Sequence, residues 1–248
     1  MKLKSILKEF VFIKKAKHCT AIIVAAGSGS RMGAGITKQQ MEICGMPVVA
    51  RSIAAFENSK RIKDIVIVAR ADEIGMYAAL TEKYGFKKIR RVVSGGDTRQ
   101  QSVLNGFKAI DDRCDYVAIH DAARCLITPE NIEEVLKNAE RYEAASAASP
   151  VKDTVKICSS DGFVISTPDR QRVYSAQTPQ IFRADLYRAA AFYALKQGYE
   201  ATDDNALVEW LGARVKMVNC GYENIKITTP EDIHIASVLL NLRGENND

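Results

Sequence analysis

The chain has 248 residues, 47% hydrophobic and 26% charged, which allows a sizeable core and excludes disordered, collagen-like and low-complexity classes. Its longest apolar stretches, 21–26 and 237–240, fall far short of the about 20 residues of a spanning helix, so no stable membrane insertion is expected. The net charge of +5 comes from 35 basic and 30 acidic residues, but residues 1–18 hold six lysines against Glu9 alone, leaving 29 of each sign elsewhere. The body is neutral, and no nucleic-acid partner is expected.

The basic stretch forms an N-terminal extension, 1–19. Its Ile6, Leu7, Phe10, Val11 and Ile13 between lysines suit a short amphipathic helix, either a solvated or partly packed extension or a surface-binding element. Lys8 and Glu9 interrupt the apolar run too early for a signal peptide. Six cysteines without a CxxC pair or a histidine at ligand spacing argue against zinc and redox dithiols, and read as reduced thiols of a cytoplasmic protein. The three histidines, His18, His120 and His234, make no convincing triad or metal cluster.

The core begins with a continuous apolar strand at 20–25, as a parallel strand buried on both faces requires. A helix is expected near 48–56, a strand at 64–69, and a helix at 73–83 ending at Gly85. A strand at 88–93, a helix at 99–110, a strand at 115–120, and a helix at 129–141 with Thr128 as N-cap and Pro129 in first position follow. The alternation predicts an α/β fold with a doubly wound, mostly parallel sheet and helices on both faces. Residues 151–181 break the rhythm around the turn Ser159-Ser160-Asp161-Gly162 and read as a protruding β-hairpin arm. Helices at 184–196 and 203–211, strands at 214–219 and 224–228, and a last helix from Pro230 capped by Thr229 complete a single domain, 20–243.

The sharpest segment is Ala25-Ala26-Gly27-Ser28-Gly29-Ser30-Arg31-Met32-Gly33, directly after the first strand. Amides of a glycine-rich turn can point at phosphate oxygens, and Arg31 and Lys38 add cations; a tight turn that binds nothing is the plain alternative. The dinucleotide fingerprint and the Walker loop both fail, because Met32 breaks the first spacing and Ala34 follows Gly33 where the second needs lysine. Asp121 ends an apolar strand at its carboxyl edge, where open α/β sheets bind ligands, so it suits a ribose hydroxyl or Mg²⁺, or simply a cap. Taken alone, Asp97 and Ser102 read as helix capping. Lys226, in the apolar stretch 224–228, lies on a solvated edge or reaches into a site; Arg170 by default is a solvated hairpin charge.

The glycine-rich string followed by Lys38-Gln39 resembles the nucleotide loop of sugar-nucleotide and polyol-phosphate nucleotidyltransferases. Gly95-Gly96-Asp97-Thr98-Arg99-Gln100-Gln101-Ser102-Val103, His120-Asp121-Ala122-Ala123-Arg124, Thr178-Pro179-Gln180 and Asn224-Ile225-Lys226-Ile227-Thr228 follow in order. Together, over about 20–240, they resemble the 2-C-methyl-D-erythritol 4-phosphate cytidylyltransferase family. Thr37 and Cys125 stand where that family usually has proline.

The resemblance implies a Rossmann-like nucleotidyltransferase that joins CTP to a polyol phosphate with Mg²⁺ or another divalent cation, the ion carried mainly by the triphosphate with Asp121 as its protein ligand. It implies CTP binding at Ala25, Ala26, Gly27, Ser28, Gly29, Gly96, Asp97, Ser102 and Asp121. Acceptor binding falls to Asp121, Arg124, Arg170, Thr178, Thr202 and Lys226, and the catalytic cations are Arg31, Lys38, Arg170 and Lys226. It also implies a homodimer through the arm, with Arg170 and Thr178 acting in trans. Two other readings stand beside it: a ribitol-5-phosphate cytidylyltransferase, differing only in the acceptor pocket, and a non-catalytic nucleotide-binding homologue.

Overall fold

A computed structural model describes residues 17–27, 37 and 39–244. The extension 1–16 and four predicted site residues, Ser28, Gly29, Arg31 and Lys38, lie outside them.

The first strand, β1 (Cys19–Val24), is buried along almost its whole length because both its neighbours are parallel strands. Those neighbours are β4 (Ile62–Ala69) and β6 (Tyr116–Asp121), and β5 (Ile89–Ser94) pairs parallel with β4. The other side of the sheet is built by β7 (Ala144–Pro150), β10 (Tyr174–Arg183) and β11 (Lys216–Asn219). The seven strands run in the order β11-β7-β10-β6-β1-β4-β5. Only β10 in this sheet is antiparallel to its neighbours, β6 and β7. Two short strands, β2 (Glu42–Ile43) and β3 (Met46–Pro47), form a separate hairpin.

Strand side chains alternate between two apolar layers. Ala21 and Ile23 share one with α1 (Val48–Asn58), α2 (Ile74–Tyr84) and α4 (Pro129–Tyr142). Ile22 faces the other layer, with α3 (Arg99–Lys108), α5 (Ala184–Gln197) and α6 (Asp204–Trp210). The sheet is therefore doubly wound. The last helix, α7 (Pro230–Leu242), packs on a smaller cluster through Ala236 and Leu240. Caps fall where the sequence predicts: Thr128 Oγ1 accepts from the Asn131 amide at 3.3 Å, Gly85 ends α2 with φ of 66°, and Thr229 with Asp232 makes a capping box.

Two expectations need correction, and one strand, β7, is not predicted. The arm does not extend to Ile181, because 174–183 is a strand of the main sheet, leaving the protruding part at about 151–173. There β8 (Ile157–Cys158) and β9 (Val164–Ser166) pair antiparallel around the expected turn, with Phe163, Val164 and Ile165 exposed. The β7 strand, Ala-Ala-Ser-Ala-Ala-Ser-Pro, has no strand signature of its own; its buried side chains point into the two layers on either face of the sheet, Ala145 and Ala147 with α4 and Ala144 with α5 and α6. Residues 224–228 are not a strand but an extended segment tied to the sheet's rim by the Ile227 amide donating to the Ala123 carbonyl at 2.8 Å.

Candidate active site

At the carboxyl ends of β1, β5 and β6 three chain turns meet. The Ala25 amide donates to Val68 O at 2.7 Å and the Gly95 amide to Ala69 O at 2.8 Å, so the turns after β1 and β5 are both pinned to the end of β4, while the Ala122 amide donates to Val24 O at 3.0 Å and pins the turn after β6 to the end of β1. Between them opens a cleft of about 370 Å³ whose walls include Ala26, Gly27, Gly96, Asp97, Ser102 and, at its charged end, Asp121 and Lys226. Gly95 must be glycine: a Cβ there would lie 2.5 Å from Ala26 Cβ and 2.9 Å from Ser102 Oγ. Ser102 is buried, and its hydroxyl accepts from the Gly96 amide at 3.0 Å, which folds the turn. Thr98, not Asp97 or Ser102, caps α3, accepting from the Gln101 amide. The exposed Asp97 keeps its carboxylate free of the cap while its amide donates to Gln101 Oε1 at 2.9 Å.

The charged end is built on Asp121. Its Oδ1 accepts from Arg99 Nε at 3.2 Å and its Oδ2 from Lys226 Nζ at 2.6 Å. Burial pushes this carboxyl upward, but Arg99 and Lys226 outweigh it and hold it well below the usual carboxylate range. Arg99 also donates through Nη1 to Asp204 Oδ2 at 2.7 Å, and Asp204 Oδ1 accepts from the Tyr187 hydroxyl at 2.7 Å. Burial opposes the charge on Arg99, but these two carboxylates overcome it. One guanidinium thus ties the end of β6 to the start of α6.

The turn after β6 closes through the Arg124 amide, which donates to Asp121 O at 2.9 Å. Arg124 reaches the Asn224 carbonyl through Nη1 at 2.8 Å; burial lowers its pKa, with Asp121 acting in the opposite direction. Asn224 Nδ2 donates to Gln177 Oε1 and Thr178 O, which locks the Lys226 segment against β10. Thr178 Oγ1 accepts from the Asp121 amide at 3.0 Å and lies 3.1 Å from His120 Nδ1, so Thr178, expected to act in trans, stands instead at its own subunit's site.

The described structure gathers Ala25, Ala26, Gly27, Gly96, Asp97, Ser102, Asp121, Arg124, Thr178 and Lys226 around this edge. Arg170 does not join them: it is exposed in the arm, donating to the Lys152 carbonyl at 3.1 Å. Thr202 is exposed just before Asp203, the N-cap of α6. The sequence reading missed Arg99, although it sits inside the Gly95–Val103 motif, and Asp204, whose partners are distant in sequence. It also missed Gln39, whose buried side chain donates to Gly27 O at 3.2 Å, and His120, whose role needs the turn to be seen.

Among the described residues no three His, Cys, Asp or Glu side chains form a metal cage. Of the cleft's two carboxylates, Asp97 and Asp121, the latter shares its oxygens with two cations, a donor set that fits a Mg²⁺ carried mainly by a triphosphate with at most one protein ligand. A larger cavity, about 900 Å³, opens at the opposite, amino edge of the sheet, but Asp64 and Asp111 there are already engaged by His18, Arg90 and Arg113, and no glycine lines it.

Residues 19–242 match the family model described as 2-C-methyl-D-erythritol 4-phosphate cytidylyltransferase (IspD). A protein of that name from Caldanaerobacter subterraneus subsp. tengcongensis is 44% identical over 224 residues, covering 90% of this chain and 99% of the relative. Another from Pelotomaculum thermopropionicum is also 44% identical, over 90% of this chain and 94% of its own. The crystal structure of 4-diphosphocytidyl-2C-methyl-D-erythritol synthase from Anaerococcus prevotii superposes with a TM-score of 0.83 at 36% identity, covering 91% of this chain and 97% of its own. The 2-C-methyl-D-erythritol 4-phosphate cytidylyltransferase from Thermus thermophilus does so at 0.71 and 27%, covering 91% and 99%. A glycine-walled cleft that ends in an aspartate shared by two cations is thus set in a chain matched almost end to end, and the chain belongs to the 2-C-methyl-D-erythritol 4-phosphate cytidylyltransferase family.

Proposed function

We propose that this enzyme transfers the cytidylyl group of CTP to 2-C-methyl-D-erythritol 4-phosphate, releasing pyrophosphate, a step of isoprenoid precursor biosynthesis. The observation that carries the reading is the Lys226–Asp121 pair at the charged end of the glycine-walled cleft. It supplies a cation where an acceptor phosphate must approach, which a nucleotide-binding homologue without chemistry does not require. The names of the relatives favour this acceptor over ribitol 5-phosphate.

The nucleophile is the acceptor's own phosphate, largely dianionic near neutral pH, so no protein base is needed. One of its oxygens bonds to the α-phosphorus of CTP as the bond to the β-bridging oxygen breaks, and pyrophosphate leaves in line. The protein's work is to orient two anions that repel one another and to stabilise the charge that builds between them. We assign Arg31 and Lys38 to the α-phosphate, and Ala25, Ala26, Gly27, Ser28 and Gly29 to the triphosphate side. Gly96, Asp97 and Ser102 face the base.

Lys226 has three ammonium donors, of which Asp121 occupies one, leaving two for the attacking phosphate. Arg170 of the partner subunit is assigned to the same phosphate, with Arg124 and Thr202 nearby. A bound Mg²⁺ supplies neutralisation of the triphosphate oxygens. The exposed Phe163, Val164 and Ile165 support a homodimer in which the arm finds cover, since a lone two-stranded hairpin is marginal in water.

Steady-state turnover with CTP, Mg²⁺ and each acceptor in turn tests the reading. Turnover of methylerythritol phosphate well above ribitol phosphate is expected; the reverse preference, or none, overturns it.

A further inference from the structure

We propose that His120 is a positioning residue whose two ring nitrogens clamp both ends of the turn carrying Asp121 and Arg124, with the Thr178 hydroxyl serving that clamp rather than donating to the acceptor phosphate. The inference deepens the cytidylyltransferase reading and rests on it for the roles of Asp121 and Arg124.

The argument begins with a carbonyl. His120 Nε2 lies 3.2 Å from Arg124 O, and a carbonyl oxygen only accepts, so Nε2 carries the proton. The ring is fully buried and packed against Phe56 with centroids 4.9 Å apart. The partners of its two nitrogens are a carbonyl and a hydroxyl, not a carboxylate, and a charged ring buried without one is costly, so the imidazole is neutral. A neutral ring protonated at Nε2 has a bare Nδ1 that only accepts. Its partner at 3.1 Å is the Thr178 hydroxyl, which therefore donates its single proton to His120.

The same hydroxyl oxygen accepts from the Asp121 amide at 3.0 Å. Thr178 then has one lone pair left and no proton. It repels a phosphate oxygen rather than binding it, and it is buried, with 5% of its surface exposed. The chain of bonds runs Asp121 N–H to Thr178, Thr178 O–H to His120, and His120 Nε2–H to Arg124 O. The turn's own bond, Arg124 N–H to Asp121 O, closes the loop. One buried imidazole thereby fixes the spacing between the carboxylate that Lys226 and Arg99 share and the guanidinium three residues later.

Two measurements test the clamp. In the substrate-free enzyme labelled with ¹⁵N-histidine, whose three histidines are separable by substitution of His18 and His234, the His120 ring should be neutral with the proton on Nε2. A proton on Nδ1, or a charged ring, overturns the proposal whatever the enzyme's substrate. In turnover, Thr178→Val and His120→Phe should each lower kcat roughly 10- to 100-fold, as loss of a group that orients a ligand does, with the acceptor KM moving less. Thr178→Ser should restore most of the rate, and the double variant should be no worse than the worse single one. An acceptor KM raised by Thr178→Val alone with kcat intact, or multiplicative losses in the double variant, would return Thr178 to the phosphate. Failure of the acceptor-preference test with the Nε2 proton in place would sink the proposed reaction and leave the clamp standing.

Discussion

Lys226 Nζ donates to Asp121 Oδ2 at 2.6 Å across 105 residues of sequence, while Arg99 takes the other oxygen of the same carboxylate. The two cations differ in setting. Lys226 has 37% of its side chain exposed, whereas Arg99 also holds Asp204, whose side chain is 1% exposed.

That difference separates catalysis from stability. Lys226→Met should cost about 2 to 4 kcal/mol of transition-state stabilisation, a loss seen in kcat/KM, with little change in urea unfolding. Arg99→Met leaves the buried Asp204 carboxylate without a cation and takes one of two from Asp121, and should destabilise the fold by about 3 kcal/mol or more. Equal unfolding midpoints for the two variants would contradict this division.

Two glycines make a similar contrast. Gly95→Ala drives a Cβ into Ala26 and Ser102 beside the cleft, so it should weaken CTP binding and cost about 1 to 3 kcal/mol of stability. Gly106→Ala meets Ile22 and Val68 at 2.7 Å each, where α3 lies on the sheet, and should cost a similar amount while leaving the CTP affinity of the folded enzyme unchanged. Calorimetric titration with CTP beside thermal unfolding separates them.

Burial pushes the Cys125 thiol up to about 12 from 9.0, and Arg51 offsets this only in part. The unfolded chain thus loses this proton before the folded one does, so the thiol's contribution to stability is complete below about pH 9 and declines as pH rises toward about 12. The slope is at most about 1.4 kcal/mol per pH unit. Cys19 and Cys220, also raised by burial, add to it. Urea midpoints at pH 8, 9.5 and 10.5 should fall progressively, and Cys125→Ala should flatten the fall, whatever it costs at pH 8. An unchanged slope in that variant would show that Cys125 ionises no later in the folded state than in the unfolded one.

The strand β5, at the sheet's edge, was legible from its place in the alternation of strands and helices. Periodicity made β1, β4 and β6 and their helices legible, because a parallel strand buried on both faces is apolar over most of its length. Asp121 was legible for the same reason, as a charge at the end of such a run. The strand β7 was not, since its alanines and serines are suited to the helical layers packed on the two faces of the sheet and not to a local preference. Most of β10, to Ile181, reads as arm because the short β-like pieces from Val151 onward carry no helix to mark where the arm ends; the pairing of Tyr174 and Ser175 with Pro150 and Ser149 sets that boundary. Arg99 escaped notice because its value lies in Asp121 and Asp204, which are 22 and 105 residues away. His120 lies next to Asp121 in the sequence, but its partners Thr178 and Arg124 come together only in the folded turn.

The arm sets the last prediction. In its own subunit Arg170 contacts the arm's Lys152 carbonyl and stays exposed, away from the Asp121 cluster, so its proposed place on the acceptor phosphate requires a second subunit. Lys38 and Lys226, by contrast, are assigned to their own subunit's site. A Lys38→Ala subunit paired with an Arg170→Ala subunit then makes one site with both lesions and one with neither. If random exchange makes half the dimers mixed, each with one intact site, activity should rise from near zero toward about a quarter of wild type, as two-fold symmetry requires. Subunit exchange is followed by differently tagged copies, and turnover is measured on the same mixture. Mixtures that exchange fully yet stay as inactive as either parent would place Arg170 outside the partner's site and leave Lys226 as the cation assigned to the attacking phosphate.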